Sequence, residues 1–539
     1  MELPTRCIAV QQDSIKLRRT LGEQGAYVTL SHRWTPSTEH VSTCMQNLEH
    51  RLESLEEGEL PKTFQDAIAV TRRLGLPYLW IDSLCIVQSG DDGADWRREA
   101  MKMGQYYQNS VFTISALEAF DDGFLRRRAA CTPGNLVRLP YRNRSGEQVD
   151  FIYIDRRSGS VQRDYVAYVL HSTLMSRGWV LQEWLLSRRI VHYSSVGMFV
   201  ECQSKDPRNE FGESVRTHSR SGLSLLQKIL GDSMIDLKKS YCNMGMTSRS
   251  IYLLWARIVE SYSERALTKF DSDRIVALAG VAKEIRERLV ITSPAAPERN
   301  GHDIAYVAGW WLDDIHNGLL WESRNLHQYS THPPTWSWSA FNGSVIFRSK
   351  KASMERACTV SRVILADEFS GLPHPATSGP NVSSSCDVDN KFGCLVIKGK
   401  VHLVLVGRRL ENDEQARVAG YTGVGTEFSH HWRAITSPEA PSEHIGWVSL
   451  NSPHARTMID PHQSMAAMQA LHVSTERGVF GGLQFGGLGL THDVYSILLV
   501  SPHDASGQHR ENRYVRCGVG RIFKPKFFQD AEEMTLELA

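Results

Sequence analysis

The chain has 539 residues, 41% of them hydrophobic and 22% charged, which is enough apolar material to fill real cores and excludes global disorder. At that length two or three domains are expected. Lys plus Arg number 61 and Asp plus Glu 60, a formal net charge of +1, so no general positive field draws in nucleic acid or an anionic membrane. The N-terminal stretch MELPTRCIAVQQDSIKLRR lacks the apolar segment of a secretory signal, and no run of about 18 apolar residues predicts a membrane span. The ten cysteines contain no CxxC pair, which suits reduced thiols and a cytoplasmic setting.

Residues 26–34, AYVTLSHRW, read as a short buried strand ending in polar groups, and a charged helical stretch follows over 40–57. LPKTFQDAIAVTRRLG at 60–75 reads as a helix opened by Pro61, with Phe64, Ile68 and Leu74 near one face and Gly75 as its stop. YLWIDSLCIV at 78–87 has the length and the aromatic and β-branched content of a central strand. ADWRREAMKMGQYYQNS then reads as a helix with Asp95 as N-cap, and VFTISAL at 111–117 as a third strand. Strand, helix, strand, helix, strand at this spacing predicts an α/β domain with a parallel sheet. Residues 172–194 combine a helical piece with a strand, and 204–250 are polar and mixed, as in an insertion or linker. Two helical patterns occupy 251–292, and a Trp- and Pro-rich segment follows at 306–340. From 355 onward short alternating strands predominate, interrupted by a Ser-, Pro- and Gly-rich loop at 367–390. The expected division is therefore an α/β domain over 1–203, a helical and Trp-rich segment over 204–350, and a mostly β domain over 351–539. The glycines at 478–489 lack the spacing and the lysine of a phosphate loop.

Several blocks occur in an order that resembles the fungal heterokaryon incompatibility (HET) domain family. LPTRCIAV at 3–10, YVTLSHRW at 27–34, LPKTFQDAIAVTRRLGLPYLWIDSLCIVQ at 60–88, DWRREAMKMGQYYQNSVFTISA at 95–116 and RGWVLQEWLLSRRIVHYS at 177–194 carry the resemblance, followed by Glu201-Cys202. TKFDSDRIVALAG, AYVAGWW and PTWSWSA at 268–340 resemble downstream marks of large members. The resemblance implies a parallel-sheet domain distantly similar to TIR domains, some of which cleave NAD. It also implies nonself recognition or regulated cell death, with self-association or a second fungal recognition protein as partner. Two positions depart from the family pattern. The first block reads Ser31-His32-Arg33-Trp34-Thr35 where a cysteine is common after the histidine, and Gln88 is followed by Ser89-Gly90 where acids are common.

His32 and Asp82 fall toward the ends of two predicted parallel strands, where α/β sheets bind ligands. Three uses of the surrounding residues are open. Glu99 could support N-glycoside cleavage of an NAD-like substrate, with Trp34 or Trp179 stacking on a ring; its plainer role is pairing with Arg97, Arg98 or Lys102. Cys85 could be a nucleophile with His32 as base and Asp82 as orienter, the basis of a biosynthetic enzyme performing acyl transfer, hydrolysis or cyclisation; its plainer role is a buried inert thiol. The whole polar set could instead be a structural network in a non-catalytic signalling module. Arg177 could hold a phosphate or carboxylate, or pair with Glu183 or a backbone carbonyl, while Trp179 is expected in the core. No His or Cys spacing supports a metal, and no cofactor is assigned. Asp313, Asp314 and His316 read as a solvated turn, and the Arg126-Arg127-Arg128 run as a solvated face.

Overall fold

The computed structural model describes residues 1–118, 123–125, 136–143, 145–155, 160–215, 232–242, 247–292, 305–324, 334–347, 354–365, 392–422, 431–451, 465–480, 490–502 and 513–539. The loop at 367–390, the basic run at 126–128 and most of the glycines at 478–489 lie outside these residues. The chain forms two compact units: one of 1–244, 265–269 and 276–282, the other of 245–264, 270–275 and 283–539.

The first unit is built on an eight-stranded mixed sheet. Its strands are β1 (Arg6–Val10), β2 (Ile15–Arg19), β3 (Tyr27–Ser31), β4 (Tyr78–Ile81), β5 (Thr113–Ala116), β6 (Arg189–Tyr193), β7 (Met198–Cys202) and β8 (Lys205–Asn209). The spatial order is β8-β7-β6-β5-β3-β4-β1-β2. The four central strands, β6, β5, β3 and β4, run parallel, as the strand–helix alternation predicts. Antiparallel pairs β1–β2 and β7–β8 extend the two edges. The N-terminal hairpin of β1 and β2 is not visible as strands in the sequence pattern. Leu30 lies opposite Ile81, Ser31 opposite Ser115, and Ser115 opposite His192, so the carboxyl ends of the parallel strands finish at one level.

Helix α1 (Lys62–Arg73) follows Pro61, turns Phe64, Ala67 and Ile68 into the core, and ends where Gly75 takes φ 65°. Leu74, expected on the apolar face, caps the helix and is exposed. The expected strand at 78–87 stops at Ile81. Asp82 opens a single helical turn, α2 (Asp82–Cys85), because its Oδ1 accepts the Ser83 N–H at 2.7 Å. The single helix expected after residue 94 is two, α3 (Ala94–Ala100) and α4 (Met103–Asn109). Gly93, in the left-handed region, is the N-cap of α3, and Asp95 lies in its first turn. Helix α5 (Gly178–Leu186) is buried on nearly every side, so its polar residues must find partners inside the protein.

The second unit contains α6 (Ser248–Ser263), the strands β9 (Tyr306–Val307), β10 (Trp310–Trp311), β11 (Trp321–Ser323) and β12 (Val345–Phe347), and a nine-stranded sheet. Its strands are β13 (Met354–Arg356), β14 (Thr359–Leu365), β15 (Phe392–Arg409), β16 (Trp432–Ser437), β17 (Ala440–Leu450), β18 (Ala466–Phe480), β19 (Leu490–Pro502), β20 (Arg513–Ile522) and β21 (Glu532–Leu538). Pairings run from β15 through β16, β17, β20, β19 and β18 and return from β18 to β15, so six antiparallel strands close on themselves. The 18-residue β15 makes closure possible by pairing along both of its edges. Asp314, expected in a solvated turn, is buried at 5% exposure. No described helix is long and apolar enough to cross a membrane.

Candidate functional site

Two of the expected site residues meet at the carboxyl ends of β3 and β4. His32 follows β3 and Asp82 follows β4, and His32 Nδ1 lies 3.8 Å from Asp82 Oδ1. Asp82 Oδ2 accepts the Trp34 indole N–H at 2.8 Å. With the Ser83 N–H on its other oxygen, the carboxylate is fixed in orientation while its side chain stays 20% exposed. The His32 ring packs edge-on against Phe64 at 4.9 Å. Burial pushes its pKa below the ordinary histidine value, against the pull of Asp82, so the ring is a neutral imidazole at neutral pH. Its Nε2 has no hydrogen-bond partner among the described residues.

The α5 segment completes the cluster. Arg177 donates from Nη1 to the His32 carbonyl at 3.0 Å, one of the two structural pairings expected for it. Glu183 is buried, and its carboxyl accepts hydrogen bonds from Ser31 and Tyr107. Burial, reinforced by the charge of Asp82, pushes the Glu183 carboxyl up to about 7, against Ser31, Arg177 and Tyr107. The sequence singles out Glu183 only as a polar residue in an apolar block; the signal that marks it is a carboxylate on a helix too apolar to offer it water. Gln182 turns elsewhere, accepting the Gly280 N–H at 2.8 Å. Trp179 is half-buried and meets Trp96 edge-on at 6.1 Å.

Glu99 and Cys85 do not join this cluster. Glu99 is 1% exposed and bonds Thr5 Oγ1 at 2.9 Å, the Tyr106 hydroxyl at 2.7 Å and Arg98 Nε at 3.4 Å. Beside it Asp95 binds both Arg6 and Arg98 and accepts the Val87 N–H at 2.8 Å. This network ties α3 to the first strand, and the Arg98 contact is the plainer role expected of Glu99. Burial pushes the Cys85 thiol up to about 12, and its hydrogen-bond partners are the Ile81 and Ile8 backbones. A thiol so held supplies no thiolate at neutral pH, and His32 is not within its hydrogen-bond reach among the described residues. The geometry therefore gives the Cys85–His32–Asp82 triad no support.

A cavity of about 250 Å³ opens beside His32. Arg33, Thr35 and Ser37 line one side, Lys62 and Thr63 at the start of α1 another, and Glu118 also reaches it. Among the described residues no group of three His, Cys, Asp or Glu side chains is placed to hold a metal ion.

This is an α/β domain with a polar cluster and a cleft at the carboxyl ends of its parallel strands. Residues 27–183 match the family model described as heterokaryon incompatibility protein (HET), so the first unit carries a HET-family domain spanning His32, Asp82 and Glu183. No curated protein and no solved structure matches the chain.

Proposed function

We propose that the chain is a heterokaryon-incompatibility-type protein of nonself recognition or regulated cell death, and that its first unit cleaves the N-glycosidic bond of a pyridine dinucleotide such as NAD. One observation carries the chemical part: a part-exposed carboxylate, Asp82, oriented by Trp34 and Ser83 beside a buried, neutral imidazole. Cleavage breaks the C1′–N bond, and its electron pair leaves with the nicotinamide, so no acid is needed for departure. The negative charge of Asp82 stabilises the oxocarbenium-like ribose. Water adds to C1′ and gives its proton to the part-exposed Asp82 carboxylate, while the neutral His32 leaves that carboxylate's charge unpaired. Arg33, Lys62 and the hydroxyls of Thr35, Ser37 and Thr63 suit the pyrophosphate in the adjoining cleft. Glu183 is a positioning residue. Protonated below about pH 7, it keeps a second negative charge away from Asp82 and accepts hydrogen bonds from Ser31 and Tyr107.

The TIR likeness expected from the family resemblance would make Glu99 the key carboxylate; the carboxylate proposed here is Asp82. The test is nicotinamide release from NAD by the purified chain at several protein concentrations, wild type beside Asp82→Asn. Release that falls by about 10²-fold or more in Asp82→Asn, in a variant that stays folded, is the expected result. Equal release from both proteins, or none from either at any concentration, overturns the chemical assignment.

A further inference from the structure

The chain does not finish the first unit before it enters the second. After residue 244 it passes into the second unit and returns to the first twice, over 265–269 and over 276–282. Both returning segments lie beyond residue 183, where the family match ends. Both also bond to one element, α5 and the residues just before it.

The first return grips Arg177 from both sides. The Ala266 N–H donates to the Ser176 carbonyl at 2.8 Å, and the Ala266 carbonyl accepts the Gly178 N–H at 2.8 Å. Arg177 is thereby paired with Ala266 in a one-residue parallel bridge. The Gly178 N–H opens α5 and has no acceptor within the helix, so the returning chain satisfies it from outside. Arg265 adds a hydrogen bond from Nη1 to the Met175 carbonyl. The second return meets α5 farther along. The Gly280 N–H donates to Gln182 Oε1 at 2.8 Å, and a Cβ on Gly280 would fall 2.6 Å from that oxygen. Arg177 therefore projects from a backbone bonded on both sides, and its Nη1 reaches the His32 carbonyl at 3.0 Å. A charged donor makes this one of the stronger hydrogen bonds of its kind. His32 opens the stretch that leads to α-helical residues after Thr35, whose N–H donates to Thr38 Oγ1 at 2.8 Å.

We propose that segments 265–269 and 276–282 are a clasp that completes the site, and that Ala266 and Arg265 are positioning residues which hold His32 in place through Arg177. The functional domain then extends past the family match to residue 282. The site is that of the proposed cleavage. The clasp concerns where His32 sits and not which bond is broken, so either reading can fail without the other.

The test is amide hydrogen exchange of the full chain, read by mass spectrometry over residues 32–38, for wild type, Ala266→Pro, Arg177→Met and the double variant. Proline removes the N–H that the Ser176 carbonyl receives. Methionine removes the guanidinium and leaves the backbone bridge in place. Exchange over 32–38 is expected to rise about tenfold in each single variant. The double variant should exchange no faster than Arg177→Met alone, because both changes break one relay. Exchange over β4 should keep its wild-type level, which separates release of the clasp from global unfolding. Where Ala266→Pro does not fold, Arg265→Met takes its place in the same cycle. Unchanged exchange over 32–38 in the clasp variant, or rises that multiply in the double variant, overturns the proposal.

Discussion

Glu183 and Asp82 share one cluster, yet their surroundings give them different work. Glu183 is enclosed by Ser31, Tyr107 and the apolar body of α5, whereas Asp82 reaches solvent. A carboxyl pushed up to about 7 binds a proton in the folded state that the unfolded chain has released by pH 4.5. Its contribution to stability is therefore complete below pH 4.5 and is lost as pH rises through about 7. Glu183→Gln copies the protonated form and removes that slope. In urea unfolding at pH 5 and pH 8, the change in stability between the two pH values is expected to differ between wild type and variant by on the order of 3 kcal/mol. An identical pH dependence in both proteins would show that Glu183 ionises freely in the fold. His32 and Asp82 are legible in the sequence as polar residues closing apolar strands, and Arg177 as a cation in an apolar block. The surroundings of Cys85 and Glu99 are not. The periodicity of YLWIDSLCIV does not reveal that the strand ends at Ile81 and turns the thiol toward the backbone. The partners of Glu99 include Thr5, 94 positions away.

Helix α4 crosses close to residue 280 because both positions are glycine. A Cβ on Gly104 would lie 2.8 Å from the Gly280 Cα and 2.8 Å from Leu186 Cδ1. Alanine at an exposed helix position would stabilise by about 1 kcal/mol. Here Gly104→Ala is expected to destabilise by about 1–3 kcal/mol, with the sign read from urea denaturation of the purified chain. A stabilising substitution would mean the helices can separate freely. The β6–β7 hairpin depends on a buried acid in a comparable way. Glu201 receives Lys238, the Tyr165 hydroxyl, the Trp184 indole N–H at 3.0 Å and His192 at 3.1 Å. Glu201→Ala leaves Lys238 buried without its anion and is expected to cost about 3–5 kcal/mol by the same measurement. A loss below about 1 kcal/mol would place that cluster effectively in solvent. The sequence marks Glu201-Cys202 as a pair, but the partners of Glu201 come from four separate elements and leave no local pattern. The parallel core, by contrast, is legible, because its strands and helices alternate at regular spacing. The β1–β2 hairpin is not, because its strands are five residues each and β2 turns Lys16, Arg18 and Arg19 outward.

At the scale of the whole molecule, a HET-family domain in the first unit is joined in one chain to a unit built on a closed antiparallel sheet. The β character of the C-terminal part is legible from alternation in CLVIKGKVHLVLVG and YVRCGVGRIF. Closure is not legible, since it depends on β15 pairing with β16 and β18 on opposite edges. The six closed strands are paired along both edges, whereas β13 and β14, and β2 and β8 at the ends of the first sheet, are each paired along one edge among the described residues. The central claim is that Asp82, beside a neutral His32, performs the cleavage while Glu99 holds α3 in place. The most direct measurement is the pH dependence of nicotinamide release from NAD by wild type, Asp82→Asn and Glu99→Gln. Release should fall on the acid side as His32 takes up its proton, below the ordinary histidine value of 6.5, and its charge pairs that of Asp82. The account predicts that Glu99→Gln retains this profile and that Asp82→Asn loses the activity. Retained release in Asp82→Asn together with its loss in a folded Glu99→Gln would contradict it.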